Sequence, residues 1–465
     1  MADRNTELIA HLMRRAGFGA TPEELRQRAT IGYEQTVDEL LRPDAQEPLD
    51  GYRFLRYQPW TWKPGTLSNP GPTSWLYHMI NTKRPLEEKL TFFWHQVFAT
   101  GVSKVDHWDE VADMIDLFRR LGMDSFRDLL LAVAKSPAMI YWLDNNENHA
   151  AAVNENFGRE LLELFSMGVG NYTEDDVLEC SRAFTGWTIT PKLPRFPYGR
   201  YDWEFEYRED DHDSGEKSFL GRTGDFNGQD IIDIICEQPA TATFVSRHLY
   251  NFFVADEVQV AAWSKTPPKD PEAIETLAAT FSDSGYDIRS MLRVLFNSDF
   301  FKNARRDRVK SPVEVVAETM RLVGGAEFPL PGYGELARQP LYMGQDLLNP
   351  PSVEGWHTGE EWINSGNLVE RVNFMTRMVG DAGRPGIAAF IQGLKNTPNL
   401  APEALVDACL DLLGLAELGP DTRHELLDHA SERGDLVWNG DTESSTERVL
   451  EMLQLVVSLR EYQRA

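Results

Sequence analysis

The residues best placed to do chemistry lie in VNENFGRELLELFSMGVG, residues 153–170. At a helical 100° per residue, Phe157, Leu161, Leu164 and Phe165 share one arc and need a core. Glu155, Asn156, Arg159, Glu160 and Glu163 share the opposite arc. The spacing predicts i,i+4 ion pairs Glu155–Arg159 and Arg159–Glu163. Such a face is either a solvated surface with weak salt bridges or a carboxylate-lined pocket in which an arginine holds glutamates in place. Two further places carry candidate groups. In EEKLTFFWHQVFATG, residues 87–101, the stripe Leu90, Trp94, Val97 and Phe98 puts His95 at its edge. A histidine there is either a hydrogen-bonded boundary residue or a ligand or base. In Asp210-Asp211-His212-Asp213-Ser214-Gly215-Glu216-Lys217, alternating acids suggest a calcium loop. An EF-hand is excluded, because Glu216 holds the glycine position and Arg222 the terminal acid. His212 with Asp213 stays a metal or acid/base candidate on a polar turn.

These groups must be held by helices, because the signals along the chain are helical. Thr21-Pro22-Glu23-Glu24, Thr173-x-x-Asp176 and Ser311-Pro312-x-Glu314 read as capped helix starts. Periodicity predicts further helices near 73–81, 86–99, 108–121, 125–134, 154–167, 228–236, 239–254, 271–284, 288–297, 366–379, 402–413, 421–432 and 443–460. Gly122, Gly168 and Gly324 fall at expected helix ends. The fold class is therefore mainly α, a multi-helix orthogonal or bundle-like body. A small β-containing excursion is expected near 187–227, where Tyr201, Trp203, Phe205 and Tyr207 alternate. Irregular loops are expected at 52–72, 187–227 and 325–365. The domain reading is a helical body over 1–382 and a C-terminal helical subdomain over 383–465.

Composition narrows the classes. The 465 residues are 42% hydrophobic and 26% charged, which suits a chain with a packed core. With 46 Lys plus Arg against 73 Asp plus Glu, the net charge of −27 disfavours nucleic-acid binding. Cys180, Cys236 and Cys409 are too far apart for a thiolate zinc site or disulfide framework, and they read as small buried hydrophobes. No apolar run reaches the ~18 residues of a membrane span. The start MADRNTELIAHLMRRAGFG has no apolar signal core, so the chain as written is expected to be cytoplasmic. No phosphate loop, His-Glu-x-x-His helix or Gly-x-Ser-x-Gly elbow is present, nor any nucleotide or flavin motif. Glu354-x-x-His357 lies in a Pro/Gly loop, whereas a di-iron bundle needs two such motifs on helices.

Taken in order, these segments resemble a bacterial family catalogued as domain of unknown function 1800. The resemblance runs from His11-Leu12-x-Arg14-Arg15-Ala16-Gly17-Phe18-Gly19 through Phe93-Trp94-His95 to Asn154-Glu155-Asn156-Phe157 and Arg159-Glu160-Leu161 with Glu163. It continues through Phe184-Thr185-Gly186-Trp187, His212-Asp213, Lys310-x-Pro312 and Pro350-Pro351-x-Val353-x-Gly355-Trp356, with Arg371, over roughly residues 8–380. It implies a mostly helical fold, relatives that are often exported, and an alkaline-phosphatase-like partner. It implies no settled activity. It adds weight to the polar positions it contains, His95, Glu155, Arg159, Glu160, Glu163, His212 and Asp213. The chain departs from the family at Gln96, where Asn is common, and at His357, where Pro is common.

Two functional classes follow. In the first, the protein is an enzyme, a hydrolase or acid/base catalyst. His95, Glu155, Glu160, Glu163, His212 and Asp213 then line a polar cleft with Arg159 as charge partner. Two glutamates divide acid and base roles, or a histidine and carboxylates hold a divalent metal that activates water. In the second, the protein is a non-catalytic scaffold or partner, docking through the aromatic loops at 52–72 and WEFEY, with the polar cluster as a structural lock.

Overall fold

Helix caps written in the sequence set the helix boundaries. The computed structural model describes residues 4–57, 70–191, 202–330, 332–415, 418–438 and 442–465. Thr21 and Thr173 each accept the backbone N–H three residues on, and Glu24 and Asp176 return the bond, so capping boxes open Pro22–Ile31 and Glu174–Ala183. At Pro312–Val323 the Glu314 carboxylate accepts the Ser311 N–H at 2.7 Å, and the helix ends at Gly324 with φ 69°. The helices Trp108–Leu121, Gly228–Cys236 and Ile288–Asn297 fall where periodicity predicts them. The helix predicted over 154–167 is shorter, Asn156–Glu163. Its C-terminal turn widens instead, Phe165 N–H reaching Glu160 O at 3.1 Å and Met167 N–H reaching Leu162 O at 3.0 Å. Gly168, at φ 79°, lies against Phe244 where a Cβ would stand only 2.9 Å from the ring.

The protein is mainly α, with three two-stranded antiparallel sheets among the described residues. Two of them form the expected β excursion. β1 (Trp187–Pro191) pairs with β2 (Trp203–Tyr207) in the register Trp187↔Tyr207, and β3 (Lys217–Phe219) pairs with β4 (Arg222–Gly224). Residues 58–69 and 192–201, parts of two expected irregular loops, lie outside the described residues.

The chain forms two compact units. Unit 1 comprises Met1–Leu86, Phe301–Asp346 and Thr358–Ala465. A buried polar network runs through it. Arg371 donates to Gln463 Oε1 at 3.0 Å and Lys310 O at 2.8 Å, and Lys310 pairs with Glu318 at 2.7 Å. Arg308 pairs with Glu314 at 2.7 Å, and both are almost fully buried. Ala465 N–H reaches Arg308 O at 2.9 Å, which ties the last residues to the strand-like segment before Pro312–Val323. Unit 2 comprises Glu87–Phe300 and Leu347–His357. Its core stacks Phe93, Trp94, Phe98, Phe126 and Phe165, with Trp94 Nε1 donating to Gly122 O at 2.8 Å. Cys180, Cys236 and Cys409 are buried free thiols. Among the described residues no helix is long and apolar enough to cross a membrane.

Candidate functional site

Asparagine side chains set up the start of the 156–163 helix. Asn148 Oδ1 accepts Asn154 N–H at 2.9 Å, and its amide donates to Ser181 O at 2.8 Å. Asn145 donates to Trp187 O at 2.9 Å, and Asn154 Oδ1 accepts Asn156 N–H at 3.0 Å. Asn156 donates to Asp144 at 3.1 Å, and Asp144 pairs with Lys104 at 2.7 Å. Side-chain amides here replace the partners that the irregular backbone lacks. On the buried side, Phe157 meets Phe184 edge-on at 4.9 Å. Gly158 allows close approach to the next helix, since a Cβ there would stand 2.2 Å from Ser181 Oγ. Asn154 and Asn156 of the motif thus hold the irregular turn that leads into the helix carrying Glu160 and Glu163.

The polar face divides into two groups. Arg159 grips Glu174 with both terminal nitrogens, at 2.9 and 2.7 Å, and also reaches Glu155 at 3.2 Å. This surface network replaces the expected Arg159–Glu163 pair, because Glu174 opens the next helix directly opposite Arg159. Glu163 accepts the Tyr172 hydroxyl at 3.2 Å instead. Glu160 lies between the groups, half-buried. Burial raises its carboxyl pKa to about 7, Glu163 and Glu354 add to the rise, and Arg159 opposes it.

Glu354 arrives on the 347–357 segment, which returns to unit 2 late in the sequence. That segment is clamped along its length. Leu348 O accepts Val102 N–H at 3.1 Å, and Asn349 Oδ1 accepts Ser103 N–H at 3.2 Å. Gly355, at φ 79°, passes so close to Gln96 O that a Cβ would stand 2.5 Å from it. Glu354 and Glu163 then line a cavity of ≈200 Å³ together with Phe244, Arg247 and Trp263. Arg247 is held over the Trp263 ring at 4.7 Å and paired with Glu257 at 2.7 Å. The result is a small cavity with an aromatic wall and two lining carboxylates, Glu163 and Glu354, and these two also act on the carboxyl of Glu160, which lies outside the lining.

The other sequence-predicted residues are placed elsewhere in unit 2. His95 is 0% exposed, because its helix is enclosed on all sides and not only along the apolar stripe. Its ring meets Trp356 at 5.5 Å, and burial lowers its pKa to about 3, so it is a neutral packing partner behind the Glu354 segment. His212 Nδ1 contacts Thr185 O at 2.9 Å. Asp213 takes Arg182 at 2.7 and 3.2 Å, which holds its carboxyl below the usual range. Lys217 Nζ donates to the Asp213 and Gly215 carbonyls, so an ammonium occupies the loop that resembles a calcium site. Among the described residues no group of three His, Cys, Asp or Glu side chains is placed to hold a metal ion. The divalent-metal reading therefore has no ligand set among them. The aromatic strand is turned largely to internal packing, Trp203 meeting His107 and Tyr141 at 5.1 Å and Phe205 meeting Trp187 at 5.2 Å.

Glu354, Tyr172 and Glu174 are the members that sequence reasoning missed. Periodicity on one helix cannot reveal partners supplied by other segments. The available signal was that Glu354 sits inside the run Pro350-Pro351-x-Val353-x-Gly355-Trp356. Fold and site together define a mainly helical protein with a carboxylate-rimmed cavity. Over residues 11–464 the chain matches the family described as "Protein of unknown function (DUF1800)", and it belongs to that family. No curated protein and no solved structure matches it.

Proposed function

We propose that the protein is an enzyme in which Glu160 gives and takes a proton beside the unit 2 cavity, through the lining carboxylates Glu163 and Glu354 that adjoin it. The reaction is hydrolytic or a related acid/base step on a small neutral or cationic substrate. One observation carries this: a half-buried carboxyl beside two others, with its pKa raised to about 7. Acid–base catalysis works best when the pKa lies near the working pH, and carboxyls in unequal environments divide acid and base roles. Glu163 is the companion carboxylate, oriented by Tyr172. Phe244 and Trp263 supply an apolar wall for the substrate body. The acidic rim and the net charge of −27 both disfavour anionic substrates. The test is a panel of chromogenic glycosides, esters and amides assayed as a function of pH. Turnover should follow a group titrating near 7 and fall about 100-fold in Glu160→Gln with the fold retained. Turnover unchanged by that substitution, or none on any substrate, overturns the reading.

A partner role is the second reading, and exposed apolar side chains in unit 1 favour it. Phe328, Leu330, Leu341 and Tyr342 in unit 1 are 49%, 57%, 42% and 41% exposed. Exposed apolar side chains of this kind mark interaction surfaces when they are contiguous. An alkaline-phosphatase-like protein is the partner that the family resemblance suggests. Co-purification with it should be lost in Leu330→Asp and kept in Glu160→Gln, and the reverse pattern counts against this role.

A further inference from the structure

Unit 1 carries a cavity of its own of ≈600 Å³, within the range of small-molecule sites. The helices Pro22–Ile31, Tyr33–Leu40 and Pro312–Val323 wall it, together with the turn at 80–85. Met13, Ile80 and Met320 give it an apolar part. Its charged lining is Arg28, Lys83, Arg84 and Arg321 against Glu24, Glu39 and Glu327, so cations outnumber acids. That reverses the balance of the whole chain, 46 basic to 73 acidic residues.

How those charges are satisfied points to a ligand. Glu24 is used twice: Oε2 accepts the Thr21 N–H at 2.7 Å, and both oxygens take Arg321 Nη2 at 2.9 and 3.0 Å. Arg321 also donates to Ile80 O at 2.8 Å. Arg28 is served less well. Its ion-pair partner Glu39 stands 3.7 Å away, beyond hydrogen-bond range, and its Nη1 is buried without an acceptor among the described residues. Lys83, at the same cavity, is a largely exposed ammonium with its carboxylate, Glu47, at 3.7 Å, so it can turn to a ligand without losing a buried partner. A partly desolvated guanidinium whose carboxylate partner stands at 3.7 Å is costly, and a ligand oxygen meeting the exposed fifth of the Arg28 side chain adds the close anionic contact that Glu39 does not make.

We propose that this cavity binds a small organic anion. Its carboxylate or phosphate group is held by Arg28 and Lys83, and its apolar body lies against Met13, Ile80 and Met320. The site needs nothing from Glu160 and stands independently of the proposed chemistry. Isothermal titration of the full chain with phenyl phosphate and with 4-phenylbutyrate tests it, with phenol and 4-phenylbutanol as neutral controls. At least one anion should bind saturably and more weakly as salt rises, while the neutral controls do not bind. Affinity should fall about tenfold in Arg28→Gln and in Lys83→Gln. The second substitution leaves the fold alone, since the Lys83 side chain is 68% exposed. Glu160→Gln should bind the anion as the unaltered chain does. Binding of neither anion, equal binding of the neutral controls, or two lysine and arginine variants that bind normally overturns the proposal.

Discussion

Glu354 stands close enough to Glu160 to raise the pKa of its carboxyl, although the two belong to segments far apart in the chain. The helix carrying Glu160 supplies Glu163, and the clamped 347–357 segment supplies Glu354. Removing Glu354 should therefore let Glu160 ionise more easily. In Glu354→Gln the Glu160 midpoint should drop below about 7 while burial keeps it above the free value of about 4.3. Carbon NMR of the glutamate carboxyls reads this directly, and an unmoved midpoint would remove Glu354 from the cluster.

A raised carboxyl pKa also carries a stability signature. Between about 4.5 and about 7 the native state keeps a proton on Glu160 that the unfolded chain has lost. Stability from this group is therefore full at low pH and falls as pH rises through that window. Glu160→Gln should flatten the slope and raise stability above pH 7 by roughly 1–2 kcal/mol, allowing for partial solvent screening. Thermal melts across pH check this, and a variant less stable than the parent above neutrality would contradict it. A gain in stability with a loss of turnover is the trade expected of a functional strained group.

The clamp that delivers Glu354 has its own test. Gly355 sits at φ 79° with Gln96 O where a side chain would be. Gly355→Ala should cost about 1–3 kcal/mol and shift the Glu160 titration as Glu354→Gln does. An alanine that leaves both melting and titration unchanged would show that the close approach does not hold the segment.

His212 and Asp213 are expected to behave as architecture. Asp213→Asn weakens the Arg182 pair and the loop around Lys217, so melting should fall by an amount equivalent to about 1 kcal/mol. The pH profile of any turnover should stay in place. A displaced profile would return these residues to the site.

Much of this was legible in the sequence because the signals were local. The caps at Thr21, Thr173 and Ser311 and the β alternation at Trp203–Tyr207 need only neighbouring residues to act. Glu160 and Glu163 stood out for the same reason, being three apart on one polar arc. His95 was placed at an edge because periodicity assumes one wet face, whereas Glu88 and Lys89 beside it are also buried. Glu88 is accommodated by Arg119, at 3.0 and 2.9 Å, a partner from another helix. Arg159 followed the same rule, choosing Glu174 over the i+4 acid. Groups completed by distant segments are beyond any local pattern.

The most direct measurement is the titration of the Glu160 carboxyl in the intact protein by carbon NMR, with Glu160→Gln assigning the resonance. The account predicts a midpoint near 7. A midpoint in the ordinary range of about 4–5 would contradict it, because no near-neutral proton donor would then stand beside Glu163 and Glu354.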